Sequence, residues 1–223
     1  MAQWFKRLQF WKNDPREKHG QTNLSIVDLF AQYRSAGDVG DNYQSQALEG
    51  YVKNVVALYV INTISLAVSN IPFFIRVGGQ EVETSHPISK LIRRPNPGQT
   101  YKTLIREIIM NRMISGNCYL EALQLSNGSL RELYSLRPDR VRILTNSKEV
   151  PTGYEYRIGD KTISFPIDPL TRVSDLLHMK EPNPLDDCYG LSPIRAASFG
   201  ISHHNSSSQW NVKLLDNYAK PAG

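Results

Sequence analysis

The sequence predicts an α+β fold: N-terminal helices, a mostly antiparallel sheet and a long C-terminal helix. Three observations predict it. Before Gly116 the apolar residues recur at helical spacing. Between Cys118 and Lys180 the period falls to two. After Ser192-Pro193 a helical stripe runs on to Leu215.

Residues 1–47 read as a flexible basic and polar arm, ahead of a domain spanning 48–223. Lys6, Arg7, Lys12, Arg16 and Lys18 against Asp14 and Glu17 put +3 of the chain's net +5 into the first 18 residues. Trp4, Phe5, Leu8 and Trp11 are spaced to share one side of a helix. Residues 19–47 are rich in Gln, Ser, Asn, Gly and Asp, with a short helix predicted at Ser25–Tyr33. From Leu48 the pattern tightens: Val52, Val55/Val56, Tyr59/Val60, Thr63/Ile64 and Ala67/Val68 predict a helix from about Gly50 to Asn70, with Pro72 just beyond it. Phe73–Val77 reads as a strand, Gly78-Gly79 as its turn and Glu81–Glu83 as the return. His86-Pro87 opens a short helix that stops before the proline-rich run Arg93–Gly98. Thr100 is the expected N-cap of the next helix, with Leu104, Ile105, Ile108, Ile109, Arg112 and Met113 on its repeating face. Gly116 is its expected left-handed cap.

The strands follow as Cys118–Leu125, Leu130–Leu136, Val141–Thr145, Tyr154–Ile158, Thr162–Phe165 and Leu176–Lys180. Asn127-Gly128 and Gly159-Asp160 supply hairpin turns. Ser192 as N-cap and Pro193 at the first position start the closing helix. Ile194, Ala197, Ile201, His204, Ser208, Val212 and Leu215 mark its inward stripe.

Composition narrows the chemistry. Two cysteines without C-x-x-C spacing, Cys118 and Cys188, argue for a reducing compartment and against a zinc module. The most apolar stretch, Val55 to Ile61, falls well short of the roughly 20 residues a spanning helix needs, so no membrane partner is expected. No Walker loop, G-x-G-x-x-G or H-E-x-x-H occurs, and no cofactor is expected. Gly190-Leu191-Ser192-Pro193 resembles a nucleophile elbow, but Ile194 stands where the second glycine belongs, so Ser192 reads as a cap. His178, Glu181, Asp186, Asp187 and Cys188 gather near one loop with no standard metal spacing. A metal-dependent nuclease or hydrolase using His178, Asp186 and Asp187 is nonetheless the alternative reading. A third is a nucleic-acid or membrane-surface binder acting through the Trp4–Lys18 arm. Arg137-Pro138-Asp139-Arg140 forms a bend between two strands and, with Arg142, a small basic group, where a local arginine–Asp139 pair is expected, with contact to phosphates or to a neighbouring subunit's acids as the alternatives.

One ordered series of segments carries a resemblance. It runs through Arg94-Pro95-Asn96-Pro97, Gly116-Asn117-Cys118-Tyr119 and Leu136-Arg137-Pro138-Asp139-Arg140-Val141. It continues with Leu177-His178-Met179-Lys180, Asn183-Pro184-Leu185-Asp186-Asp187 and Tyr189-Gly190-Leu191-Ser192-Pro193-Ile194, and closes at Asn217–Gly223. This series resembles the portal proteins of tailed bacteriophages of the Hong Kong 97 type, over about Leu48 to Gly223. In the closing segment Tyr218, Lys220 and Ala222 stand where the family has glycine, arginine and serine.

The resemblance implies a non-enzymatic ring subunit, usually dodecameric, at one vertex of a phage capsid. The implied partners are further copies of the chain, the major capsid protein, the terminase large subunit, a head–tail adaptor and double-stranded DNA passing without sequence specificity. The implied location is the virion, with the host cytoplasm during assembly. The portion at hand corresponds to the family's wing, and the stem, clip and tunnel loop are expected beyond Gly223. Arg137, Asp139, Arg140, Asn183, Pro184, Tyr189, Gly190, Ser192 and Pro193 are the candidate subunit-contact or structural residues.

Overall fold

Helix caps and strand alternation divide the chain much as expected. The computed structural model describes residues 39, 42–81, 86–126 and 128–218, all within one unit spanning 37–223. The expected Ser25–Tyr33 helix, the Trp4–Lys18 arm, Asn127 and the Ala219–Gly223 segment lie outside the described residues.

The helical part begins with α1 (Tyr43–Ser45), which runs into a π-helical segment, Gln46–Val52. The chain then bends by 97° into α2 (Val55–Ser69). The single helix expected from Gly50 to Asn70 is therefore broken at Lys53-Asn54. Asn54 is extended and its side chain accepts the Ala57 N–H at 2.9 Å, an N-cap that restarts the helix inside an apolar run. A short hairpin pairs β1 (Arg76–Val77) with β2 (Gln80–Glu81), so the strand expected from Phe73 is only its last two residues. Then come α3 (Pro87–Arg93) and α4 (Tyr101–Ser115), the latter capped by Thr100 and by left-handed Gly116 as expected. Among the described residues no single helix is long and apolar enough to cross a membrane.

The expected sheet is split in two, and both halves are fully antiparallel. The first has the order β4-β3-β8, from β3 (Asn117–Gln124), β4 (Leu130–Leu136) and β8 (Leu176–Lys180). The second has the order β5-β6-β7, from β5 (Val141–Thr145), β6 (Pro151–Ile158) and β7 (Lys161–Pro166). The central strand β3 is buried on both faces. Tyr119 joins Leu136, Ile143, Tyr154, Phe165 and Leu176 in a core shared by the two sheets. Its neighbour Cys118 joins Leu104 and Ile108 under α4. Alternate side chains thus bind one strand to two layers.

The closing helix is also broken. α5 (Pro193–Ala196) gives way at Ala197 to α6 (Ser198–Asp216). A third core joins these helices through Val39, Ile61, Ile114 and Ile194. Two apolar stripes have no cover among the described residues. On α2 the buried positions are Ile61, Ser65 and Ser69, whereas Val55, Val56, Tyr59, Val60, Ile64 and Leu66 face out. On α6 the expected inward stripe is covered only at its start, and Val212 and Leu215 are exposed. His204, expected half-buried, is exposed, with its Nδ1 3.1 Å from Asn54 Nδ2.

Candidate functional site at the Tyr-Gly-Leu-Ser-Pro junction

The end of α4, the start of β3 and the loop after β8 meet at two glycines. Gly116 has φ 76°, and its carbonyl accepts the Glu181 N–H at 2.8 Å. A Cβ on Gly116 would stand 2.5 Å from the Leu191 carbonyl carbon. A Cβ on Gly190 would stand 2.1 Å from the Gly116 oxygen and 2.8 Å from the Glu181 nitrogen. Backbone lies on backbone here, and neither position has room for a side chain.

Asn117 ties the junction together. Its Oδ1 accepts the Gly190 N–H at 2.8 Å and lies 3.0 Å from His178 Nε2, which donates in the Nε2–H tautomer. Its Nδ2 donates to the Ser115 carbonyl at 2.9 Å. His178 stacks on Tyr119 with centroids 4.5 Å apart and meets Tyr154 edge-on at 5.9 Å. Burial, helped by the Lys180 ammonium, pushes its pKa down to about 4, so the ring is neutral at pH 7. The Arg112–Glu181 ion pair, 2.7 Å, flanks the junction.

The loop from Asn183 to Tyr189 is held by its own side chains. Asn183 Oδ1 accepts the Leu185 N–H at 3.0 Å while its Nδ2 donates to the Tyr189 carbonyl at 3.0 Å. Asp186 Oδ1 accepts from the Cys188 and Tyr189 N–H groups, and Lys180 Nζ donates to the Asp187 carbonyl. Pro184 and Leu185 form the exposed tip. Tyr189 Oη accepts the Ile143 N–H at 3.0 Å, which anchors the loop to the second sheet. Buried Ser192 donates its hydroxyl to the Ile114 carbonyl and accepts the Arg195 N–H at 3.0 Å, so one side chain closes α4 and opens α5.

The structure therefore gathers Asn183, Tyr189, Gly190, Ser192 and Pro193 at one junction, while the Arg137–Arg140 bend is a separate feature. There Arg137 Nε and Nη2 donate to Asp139 Oδ1 and Oδ2 at 3.1 and 2.7 Å, the local pair expected from the sequence. Pro138–Arg140 forms a 3₁₀ turn, and Arg140 hydrogen-bonds Tyr156. His178 and Asp186 are committed to the contacts above, and among the described residues no group of three His, Cys, Asp or Glu side chains could hold a metal ion. Cys118 is buried, and its thiol is pushed up to about 12 by desolvation.

A second polar cluster escaped the sequence reading. Asn54 Nδ2 donates to Asn205 Oδ1 at 2.9 Å, and Asn205 Nδ2 donates to the Glu49 carbonyl at 2.9 Å, tying α6 to the 97° bend. Nothing but two asparagines 151 positions apart could have signalled it. Asn117 was quoted only within a motif, and its role depends on a strand pairing that spacing does not reveal.

A family model described as phage portal protein matches residues 56–223. The chain belongs to the phage portal protein family. Two curated relatives are uncharacterized proteins. That of Rickettsia bellii is 33% identical over 178 residues, covering 79% of this chain and 45% of its own length. That of Rickettsia felis is 30% identical over 218 residues, covering 96% and 53%. This portal-family chain thus spans about half the length of the curated relatives it matches.

Solved structures match it as well. A chain in the neck of an empty gene transfer agent particle, with C6 symmetry, superposes with TM-score 0.71 at 34% identity, covering 80% of this chain and 48% of that one. A chain in the virion of the native particle gives 0.69 at 32%, covering 86% and 51%. One in the native neck, with C12 symmetry, gives 0.69 at 31% with the same coverage.

Proposed function

We propose that the chain is a structural subunit of a portal ring at a single capsid vertex, the conduit through which a genome is packaged and ejected. The observation that carries this reading is its likeness, at 34% identity, to a chain of a particle neck with C6 symmetry. In this reading residues 48–223 form a wing-like part, with which Val39 and Tyr43–Gln46 also pack. Residues 1–47 are its arm.

The partners are further copies of the chain, the major capsid protein, the terminase large subunit and a head–tail adaptor. Double-stranded DNA passes through the ring, which would reside in the virion after assembly in the host cytoplasm. The role is not enzymatic: the junction's polar groups are spent on backbone and side-chain hydrogen bonds that fix the departure of α5 and α6.

Negative-stain microscopy of the protein expressed from its complete reading frame tests the proposal. Rings with a central channel are expected, and a product that stays monomeric in native mass spectrometry would overturn it.

A further inference from the structure

α2 and the α5–α6 segment leave between them a groove of about 420 Å³. Ala57, Val60 and Ile61 line it on one side, and Ile194, Ala197 and Ile201 on the other. Its polar lining residues, Asn54 and His204, are already engaged. Asn54 Oδ1 accepts the Ala57 N–H at 2.9 Å, and its Nδ2 lies 3.1 Å from His204 Nδ1. The groove therefore offers an occupant apolar contact and little else. Gly200 points the same way. It borders the groove from inside α6, where glycine is less favourable than alanine, yet a Cβ there would meet nothing within 4 Å. No described neighbour needs the missing side chain, and its absence keeps that wall low enough for a further segment to close on it.

The point where the chain enters the described fold selects the occupant. Val39 is 6% exposed and packs with Ile61 and Ile194, two residues of the groove itself. Its N–H donates to Ser202 Oγ at 3.0 Å, two positions along α6 from Gly200. The chain ahead of Val39 therefore starts at the edge of the groove, whereas the far end of α6 lies roughly 21 Å from Ser202 along the helix axis. Only residues 34–38 separate Val39 from the Ser25–Tyr33 segment, for which the sequence predicts a helix outside the described residues. A tether that short holds Tyr33 within roughly 22 Å of Val39.

We infer that residues 25–33 occupy this groove of their own chain, with Ile26, Leu29, Phe30 and Tyr33 turned into it. The sequence of the segment fits the chemistry of the groove. At helical spacing these four side chains fall within an arc of about 100°, and Asp28 and Gln32 fall outside it. Ser25 and Asp28 keep the Ser-x-x-Asp spacing of a capping box, which opens a helix ahead of an apolar run. A helix this short is marginal in water and needs a surface to pack on. An amphipathic helix laid in an apolar groove is a recurring mode of recognition, and the short tether raises its local concentration without any new contact.

The inference is independent of the ring reading, and disulfide trapping tests it whether or not rings form. In the complete protein with Cys188→Ser, Val60→Cys is combined with Ile26→Cys, Phe30→Cys or Tyr33→Cys; native Cys118 is buried. Oxidation is expected to close a disulfide within one chain in at least one of these pairs, and not with Asp28→Cys. A second readout is the rate at which a maleimide labels Val60→Cys alone, which Phe30→Asp should raise several-fold by unseating the segment. Equal cross-linking from Asp28→Cys, cross-links only between chains, or none in any pair would overturn the inference. So would a labelling rate that Phe30→Asp leaves unchanged, because the groove would then be open or covered by another part of the protein.

Discussion

A methyl group at position 190 has only backbone to meet. Its Cβ would fall 2.1 Å from the Gly116 oxygen, and neither that carbonyl nor the Glu181 N–H beside it can swing aside as a side-chain tip would. Gly190→Ala should therefore cost on the order of 1–3 kcal/mol by overpacking, read as a lower denaturant midpoint at unchanged slope. His178 gives the same junction a pH dependence. Its folded pKa, about 4, lies below the ordinary value of 6.5 because burial disfavours the imidazolium, with the Lys180 ammonium adding to the effect. The unfolded chain binds this proton more readily, so the stability His178 contributes is complete above about pH 6.5 and is lost as pH falls through about 4. Urea midpoints of wild type and His178→Gln should differ most, and by a constant amount, above pH 6.5 and converge as pH falls toward 4. A difference that stays constant down to pH 4 would refute the assignment.

At the scale of elements, what the sequence discloses depends on how local the cause is. Thr100 and Gly116 bracket α4 as expected because a cap is decided by the residues it touches. The strands emerge from alternation for the same reason. The break at Asn54 was hidden because its capping side chain sits inside an uninterrupted apolar run. The division of the strands into two sheets was hidden because nothing in alternation says which strands pair. On α2 the apolar stripe that betrays the helix is the stripe left outside, and the inner face uses serines to let α4 approach. That inversion is testable. Ser65 is 2% exposed and its hydroxyl is satisfied by the Asn62 carbonyl at 3.0 Å. Ser65→Leu should destabilise the unassembled subunit by about 1–3 kcal/mol, whereas Val56→Thr on the outer face should change it by no more than about 0.5 kcal/mol. Thermal unfolding of the two variants compares them directly, and the opposite ranking would mean that α2 is turned the other way.

At the scale of the whole molecule, the placement of charge says what kind of force would hold the proposed ring. Of the net +5, +3 lies in residues 1–18, and the rest of the chain, at +2, is close to neutral. α2 has no charge to pair, and the outer half of α6 has one of each sign. In the proposed ring, a contact made through either face would gain its stability from apolar area removed from water, as permanent interfaces do. Screening at 1 M salt shortens the Debye length to about 3 Å and dissolves assemblies held by exposed ion pairs. The ring should therefore survive transfer from 0.1 to 1 M NaCl with an unchanged or larger assembled fraction in sedimentation velocity. Tyr59→Asp, which places a carboxylate on the α2 face, should shift the same measurement toward subunits at both salt concentrations. Dissociation of the wild-type ring by salt alone would assign the contact to charged residues elsewhere on the surface, the Arg137–Arg140 bend first among them.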